Sequence, residues 1–285
     1  MQLIIEVVIN GLLMGAVYAL VAIGVALVWG VMNVINFAHG DFLMIGMYCA
    51  YWLFVFFGLD PVIAAPICGA VLFSLGLAVY YGLVKRVLKA PSMSQIFATF
   101  GLAIFLKYLA FFLWKPDFRM VTSQLVSGSI SVFGANVGIA EIVAGVGSLL
   151  ATGALFVFVK RTKAGLALQA TAIDKEGALL MGIDSERVYA LAFAIGAACA
   201  GLAGGLLTSF QYIFPAVGET WNIIAFATVT LGGFGSIDGA LYAGLLMGLA
   251  GALGGYLIGP AYKLAIIFSI FFLVLLLRPK GLAGW

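Results

Sequence analysis

Polar residues interrupt long apolar runs at three places, and the first of these stretches carries the side chains with the richest chemistry. It reads NVINFAHGD, Asn33–Asp41, and contains the chain's single histidine. Non-helical backbone inside a membrane is tolerated only where protein or water covers it. If the flanking runs cross a membrane, this stretch predicts a broken helix beside a pathway or an inner gate. The candidate residues are Asn33, Asn36, His39 and Asp41.

Local backbone chemistry refines that prediction. Asn tolerates left-handed backbone, Gly40 permits it, and Asp41 can cap the helix that follows. A structural turn whose polar groups are satisfied is the alternative, and for His39 taken alone it is the favoured interpretation.

Glycines crowd the second stretch, LGGFGSIDG, Leu231–Gly239. A glycine-rich break between two apolar half-segments is typical of the discontinuous helices that form transporter sites. A tight turn between two helices, with Asp238 in a cap-like position, fits equally well. No lysine follows the glycines, so a phosphate-binding loop is not predicted. The candidate pathway or gate residues are Gly232, Gly233 and Gly235.

The third stretch, Lys160–Arg187, is the longest polar segment of the chain. Apolar or small residues recur in it at a spacing that indicates one stripe of an amphipathic helix: Leu166, Ala170, Ile173, Gly177 and Leu180. We expect this stripe to pack on the protein and leave Asp174, Lys175 and Glu176 facing a soluble partner. A turn at Gly182 and a helix capped by Asp184 should follow. A polar loop that only lies on lipid headgroups is the alternative.

Motifs of soluble enzymes are missing from the sequence. It contains no G-x-x-x-x-G-K-[ST], H-E-x-x-H or G-x-S-x-G. The three cysteines, Cys49, Cys68 and Cys199, fall in apolar segments and form no C-x-x-C pair, so we interpret them as packing residues. We therefore expect no enzymatic activity, no cofactor and no metal ion in this chain, and no ATP bound through a P-loop.

Composition explains why these polar stretches stand out. Of 285 residues, 65% are apolar and only 9% are charged, whereas soluble domains carry roughly 25% charged residues. The sequence predicts an all-α, polytopic membrane helix bundle with broken helices, forming one domain over residues 1–285. Runs of about 20 apolar residues give eight or nine spans, depending on how the broken region Trp221–Tyr256 is counted.

Basic residues indicate which ends of the helices lie in the cytoplasm. Ten of the 14 occur in three groups: Lys85, Arg86 and Lys89, the stretch Lys160–Arg187, and Arg278 with Lys280. The positive-inside rule places all three groups in the cytoplasm. The segments Lys115–Asn136 and Ile213–Thr220, and the N-terminus, then lie outside. Lys107 and Lys263 fall near span ends and are interpreted as lysines that reach to the membrane interface.

Several segments resemble one family of transport proteins. NGLLMGAVYALVAIGVALVWGVMNVINFAHGDFLMIG (Asn10–Gly46) is similar to the opening of the high-affinity branched-chain amino acid ABC permeases of the LivH type. ATAIDKEGALLMGID (Ala170–Asp184), VTLGGFGSIDGALYAGLLMG (Val229–Gly248) and the terminal RPKGL (Arg278–Leu282) resemble the same family. The resemblance covers nearly the whole chain in order.

The resemblance implies a subunit of a binding-protein-dependent importer in a bacterial inner membrane, moving leucine, isoleucine and valine. Its partners would be a homologous LivM-type permease, two ATPase subunits that hold ATP and Mg, a periplasmic amino-acid-binding protein and membrane lipid; no nucleic acid is expected. Permeases of this kind carry a cytoplasmic E-A-A-x-x-x-G element, and Glu176–Gly182 matches its Glu and Gly but has Gly177 where the pattern has Ala. The residues implied to couple to the ATPase are Asp174, Lys175, Glu176, Gly177, Ala178 and Gly182.

Other functions stay open at this point. A related ABC permease for urea, short amides or other amino acids would look much alike. An ion-coupled secondary transporter needs carboxylates within the membrane, for which Asp41 and Asp238 are the candidates. A passive channel for a small neutral solute such as urea would need a ring of polar residues lining a pore, and the sequence offers none.

Overall fold

Long helices make up most of the computed structural model, which describes residues 2–123, 125–132, 134–278 and 281–283. Lys280, assigned above to the cytoplasmic side, lies outside the described residues. The helices are α1 Gln2–Met32, α2 His39–Phe57, α3 Pro61–Val79, α4 Lys85–Val87, α5 Ser92–Trp114, α6 Ile139–Arg161, α7 Lys163–Ile173, α8 Lys175–Leu180, α9 Ser185–Leu207, α10 Val217–Gly232, α11 Ile237–Leu257 and α12 Lys263–Leu277. A π-helical turn, Tyr80–Val84, joins α3 to α4, and a 3-10 turn, Pro260–Tyr262, precedes α12.

The predicted membrane bundle is confirmed. Within the described residues, eight helices are long and apolar enough to cross a membrane. The broken region Trp221–Tyr256 resolves into α10, which has 16 residues, and α11, which has 21. One short hairpin departs from the all-α prediction: β1 Ser129–Val132 pairs antiparallel with β2 Ala135–Gly138.

Helix α1 lies at the centre of the bundle. It packs against α11, α9, α6 and α10, and its middle residues from Ala16 to Val28 are almost completely buried. Gly244 and Gly248, four residues apart in α11, lie against the backbone of α1. Small residues at this spacing let helix backbones approach closely where lipid replaces water.

Contacts between distant segments agree with the sides assigned from charge. Arg119 and Ile213 exchange two backbone hydrogen bonds of 2.9 and 2.8 Å, so the two segments predicted to lie outside meet. Lys85 pairs with Glu186 at 2.6 Å, which joins the basic end of α3–α4 to the stretch Lys160–Arg187. Because both side chains are about half exposed, we expect this ion pair to contribute at most about 1 kcal/mol.

Candidate translocation site and coupling loop

An extended segment, residues 33–38, follows α1 and folds back into the bundle. Asn33 has a φ of +53°, as expected for an asparagine that ends a helix in left-handed backbone. The Oδ1 of Asn36 accepts a hydrogen bond from the backbone N–H of Ala38 at 3.1 Å. Trp29 packs on Phe234, just after the end of α10, and Phe37 packs on Phe226 in the middle of α10. The chain from Trp29 to Phe37 therefore runs along α10 towards the start of that helix.

Helix α2 begins deep in the bundle rather than at a membrane surface. The Nε2 atom of His39 lies 3.0 Å from the backbone oxygen of Val21, in the middle of α1. At about 1.5 Å per residue, Val21 lies ~16 Å before Met32, the last residue of α1. The broken backbone predicted at membrane depth is therefore present, and the protein itself covers it, because His39 is completely buried.

Two details of the sequence prediction for this turn are wrong. Ala38 occupies the N-cap position of α2, and Asp41 lies in the first turn instead of capping it. Gly40 is not left-handed; a Cβ atom there would collide with the backbone oxygen of Gly218 and lie 2.7 Å from the nitrogen of Asn222. Glycine is needed at this position because α2 and α10 cross almost backbone to backbone.

Asn222 holds the crossing together. Its Oδ1 accepts a hydrogen bond from the N–H of Gly40 at 3.3 Å, and its Nδ2 donates one to the carbonyl oxygen of Phe37 at 2.5 Å. Its neighbour Trp221 packs edge-on against Tyr18 of α1, with ring centroids 5.7 Å apart. The first turns of α2 and α10 therefore meet at the same depth, near the middle of α1.

A cavity of about 400 Å³ opens beside this meeting point. Lys107 of α5 and Glu219 of α10 form an ion pair across it, with Nζ and Oε1 2.6 Å apart. Lys107 was interpreted from sequence as reaching to the interface; here it turns to an acidic partner, and only 20% of its side chain is exposed. The lining residues are Phe37, Asp41, Phe100, Ala103, Ile104, Lys107, Tyr108, Glu219 and Asn222.

A second cavity, of about 640 Å³, continues from the first along α10. The two share Phe37, Phe100, Glu219 and Asn222 in their walls. The second cavity extends to Thr230 and Phe234 at the other end of α10, and its remaining lining is apolar: Ile35, Ile223, Phe226, Ala227, Phe268 and Phe271. Together they form an apolar groove with charged groups at one end.

From the sequence we predicted Asp41 as a residue of this site, but not three other residues that line the same cavity, Lys107, Glu219 and Asn222. Glu219 and Asn222 lie in GETWN, just before an apolar half-segment, and that polar cluster was the available signal. Lys107 shows no such signal, because its partner is 112 residues away in the chain.

The glycine-rich stretch forms a tight turn between α10 and α11. Gly233 and Gly235 have φ values of +100° and +81°, and Gly235 lies against Gly30 near the end of α1. Gly232 accepts a backbone hydrogen bond of 3.0 Å from Ala283 of the C-terminal segment. Ser236, rather than Asp238, caps α11 by accepting a hydrogen bond from the N–H of Gly239.

This turn lies away from the cavity that contains Asp41. Glu219 and Gly233 are near opposite ends of α10, about 21 Å apart along the helix at ~1.5 Å per residue. The two polar stretches therefore do not form one compact site. The involvement of Gly232, Gly233 and Gly235 in a pathway or gate stays a prediction.

The stretch Lys160–Arg187 contains two helices instead of one. Asp174 ends α7 and caps α8, because its Oδ1 accepts the N–H groups of Glu176 at 3.0 Å and Gly177 at 3.1 Å. Asp184 caps α9 in the same way, as predicted. The predicted turn at Gly182 is also present, with a φ of +81°.

The face predicted to pack on the bundle is wrong, because its large apolar members point outward. Of the predicted face, Ile173 is 87% exposed and Leu180 is 89% exposed. The neighbouring Met181 is 83% exposed. Leu166 and Ile173 are exposed already within α7, whose buried residues are Gly165, Leu168 and Thr171. The break at Asp174 then starts α8, in which Ala178 is buried. The loop therefore presents an exposed apolar patch, Ile173–Met181, beside the charged side chains Asp174, Lys175 and Glu176.

Known proteins resemble the chain over nearly its full length. Residues 7–275 match the family described as branched-chain amino acid transport system / permease component. The chain is 34% identical to the permease protein LivH of a high-affinity branched-chain amino acid transport system from Salmonella typhimurium, over 96% of this chain and 94% of that protein. It is 36% identical to the corresponding protein BraD from Pseudomonas aeruginosa, over 97% and 94%.

More distant proteins are similar as well. A probable LivH permease from Methanocaldococcus jannaschii is 32% identical over 93% of this chain and 88% of that protein. Among solved structures, PsaBC from Streptococcus pneumoniae in complex with Fab aligns over 95% of this chain and 91% of that chain, with 17% identity and a TM-score of 0.49. Because the family match spans almost the whole chain, the chain belongs to the branched-chain amino acid transport permease family.

Proposed function

We propose that the chain is a membrane permease subunit of an ATP-driven importer that carries branched-chain amino acids into the cytoplasm. The similarity to LivH and BraD permeases along the whole chain carries this proposal. The apolar groove along α10 supports it, since leucine, isoleucine and valine have aliphatic side chains. High affinity is not required of such a groove when a separate receptor delivers the substrate.

The partners follow from surfaces that the chain leaves uncovered. Helix α5 exposes large aromatic side chains, among them Phe97, Phe105 and Phe112. Such a face is stable in contact with lipid or another apolar surface, and it borders the charged end of the groove. We assign a homologous LivM-type permease to this side of the molecule. A periplasmic binding protein would deliver the amino acid to the outer ends of the helices.

The loop Lys160–Arg187 is proposed to dock one of two ATPase subunits, which bind ATP and Mg. The exposed apolar residues Ile173, Leu180 and Met181 resemble the centre of a protein interface, and the neighbouring charges resemble its polar rim. ATP binding would favour one arrangement of the ATPase pair. The loop transmits that preference to the bundle only if the ATPase binds the two states of the bundle with different affinity.

Two experiments on the assembled system test the function. The tagged chain should co-purify with a second permease and an ATPase. Leucine uptake by cells should disappear when the ATPase subunit is deleted and a proton gradient is intact. Uptake that persists without the ATPase would indicate a secondary transporter and overturn the proposal.

A substitution in the loop tests the docking role. Leu180→Glu places a charge in the exposed apolar patch, so we expect weaker co-purification of the ATPase and lower uptake while the membrane bundle stays folded. Loss of one interface hot spot typically weakens binding by about 2 kcal/mol or more. Phe57→Gln, at the other end of the molecule and 76% exposed, is the control for ATPase co-purification. Normal ATPase binding by Leu180→Glu would reject this patch as the docking surface.

A further inference from the structure

We propose that the cavity between α2, α5 and α10 holds the transported amino acid as a zwitterion, with its carboxylate on Lys107 and its ammonium group on Asp41. This assignment rests on the proposed function, because it gives the substrate of that function a place in the chain. It goes beyond the family match, which identifies no binding residue.

The state of Asp41 is the first reason. The residue is only 5% exposed and lines the cavity, yet no other residue in the described part of the chain donates a hydrogen bond to its carboxylate. Lys107 attracts this carboxylate from across the cavity but forms its ion pair with Glu219, and a buried ionised carboxylate without an ion-pair partner of its own is unfavourable. The ammonium group of an amino acid would supply both a positive charge and hydrogen-bond donors.

The substrate carboxylate needs a positive group, and the first turn of α2 does not provide one. The N–H groups of Ala38, His39 and Gly40 are already bound, the first two by Asn36 and the third by Asn222. The N–H of Asp41 is bound to its own carboxylate. Lys107 is therefore the cation that faces the cavity.

Lys107 can change partners at this site. It now pairs with Glu219, whose side chain is 58% exposed. A carboxylate that enters the cavity competes with Glu219 for the ammonium group of Lys107, so one ion pair replaces another. Because a zwitterion carries no net charge, its entry leaves the charge balance of the site unchanged.

The rest of the cavity suits an aliphatic side chain. Phe37, Phe100, Ala103 and Ile104 form the apolar part of its wall. Small-molecule sites are mostly apolar, span roughly 300–1,000 Å³ and orient the ligand with a few polar groups. The cavity, at about 400 Å³, is within that range.

Protection of a cysteine from a membrane-permeant thiol reagent tests the site. Ala103→Cys would be introduced into a chain whose Cys49, Cys68 and Cys199 are changed to Ala, in the assembled importer without its binding protein. Leucine at about ten times its Kd should slow labelling about tenfold by mass action. Isocaproate, which lacks the ammonium group, and isoamylamine, which lacks the carboxylate, should not protect. Protection by isocaproate as strong as that by leucine would contradict the role of Asp41.

Charge-neutral variants identify the two ends of the ligand. Asp41→Asn and Lys107→Met should each require about 10- to 100-fold more leucine for the same protection, the loss expected for a charged hydrogen bond. Lys107→Arg keeps the charge and should retain protection. If the ion pair only ties α5 to α10, then Lys107→Met and Glu219→Gln would change labelling without leucine, and Asp41→Asn would leave protection intact.

Measuring leucine uptake by the same complex, after its binding protein and ATP have been added, separates the two proposals. Uptake with identical labelling rates in the presence and absence of leucine would overturn the zwitterion site and leave the function standing. Protection without any uptake would support the site and overturn the function.

Discussion

Gly40 and Gly218 bring the backbones of α2 and α10 into direct contact. A Cβ atom on Gly40 would collide with the backbone oxygen of Gly218, and a Cβ atom on Gly218 would lie 2.8 Å from the oxygen of Gly40. Both helices begin near this contact, so their crossing fixes the positions of Asp41 and Glu219. The geometry of the cavity therefore depends on two residues that carry no side chain.

Gly40→Ala tests this dependence. The added methyl group meets backbone rather than a flexible side chain, so the two helices must separate. Overpacking of this kind typically costs about 1–3 kcal/mol, and we expect a lower melting temperature of the purified complex together with a loss of uptake. Gly153→Ala in α6 is the matched control, because no described atom lies within 4 Å of the added Cβ there. Equal stability of the two variants would show that the crossing tolerates separation.

Asn222 offers a second test of the same junction. Asn222→Leu removes the hydrogen bonds to the N–H of Gly40 and the carbonyl oxygen of Phe37 and leaves both groups unsatisfied at membrane depth. Each unsatisfied buried group costs about 1–3 kcal/mol.

We expect Asn222→Leu to make the backbone amides of residues 36–41 exchange hydrogen for deuterium faster and to lower leucine uptake. Asn136→Leu on the exposed hairpin is the control and should change neither measurement. Unchanged exchange in Asn222→Leu would mean that packing alone holds the segment.

Much of the fold could be predicted from the sequence because lipid imposes a simple rule. Each spanning helix needs a long apolar run, so the spans and the polar breaks at Asn33–Asp41 and Leu231–Gly239 follow from composition. The sequence does not show which depth each break reaches. His39 lies beside Val21, whereas Gly235 lies beside Gly30, and only contacts between distant helices reveal that difference.

The loop Lys160–Arg187 shows why periodicity alone misassigned a face. Leu166 and Ile173 lie in the same helix, α7, and are exposed there, so the packed face of α7 is not the one that the spacing indicated. The spacing of Ile173 and Leu180 also fits one continuous helix, but Asp174 accepts two backbone N–H groups and starts a new one. An aspartate within a helical pattern competes for the backbone in this way. The sequence contained that signal at Asp174, and the same chemistry at Asp184 was predicted correctly.

Gly182 provides a prediction about backbone conformation rather than contact. Its φ is +81° and no described atom would meet an added Cβ within 4 Å, so only the left-handed backbone requires glycine. Its N–H donates to the oxygen of Leu179, and the N–H of Ile183 donates to that of Ala178, both at 3.0 Å. These bonds close the end of α8 in the manner of a glycine C-cap.

Gly182→Ala should therefore cost about 1–2 kcal/mol, the penalty for a left-handed residue with a Cβ atom, and Gly182→Asn should cost less because Asn tolerates this region. We expect the backbone amides of residues 174–187 to exchange hydrogen for deuterium fastest in Gly182→Ala, more slowly in Gly182→Asn and slowest with the natural glycine. ATPase co-purification should be weakest in Gly182→Ala and strongest with the natural glycine. Gly177→Ala is expected to act by another route, because its Cβ would lie 2.5 Å from the carboxylate of Asp174 and would disturb the cap of α8. Equal exchange rates and equal ATPase binding in Gly182→Ala and Gly182→Asn would show that the left-handed backbone is not the reason for glycine at this position. The patch Ile173–Met181 would then be held in place by its other contacts.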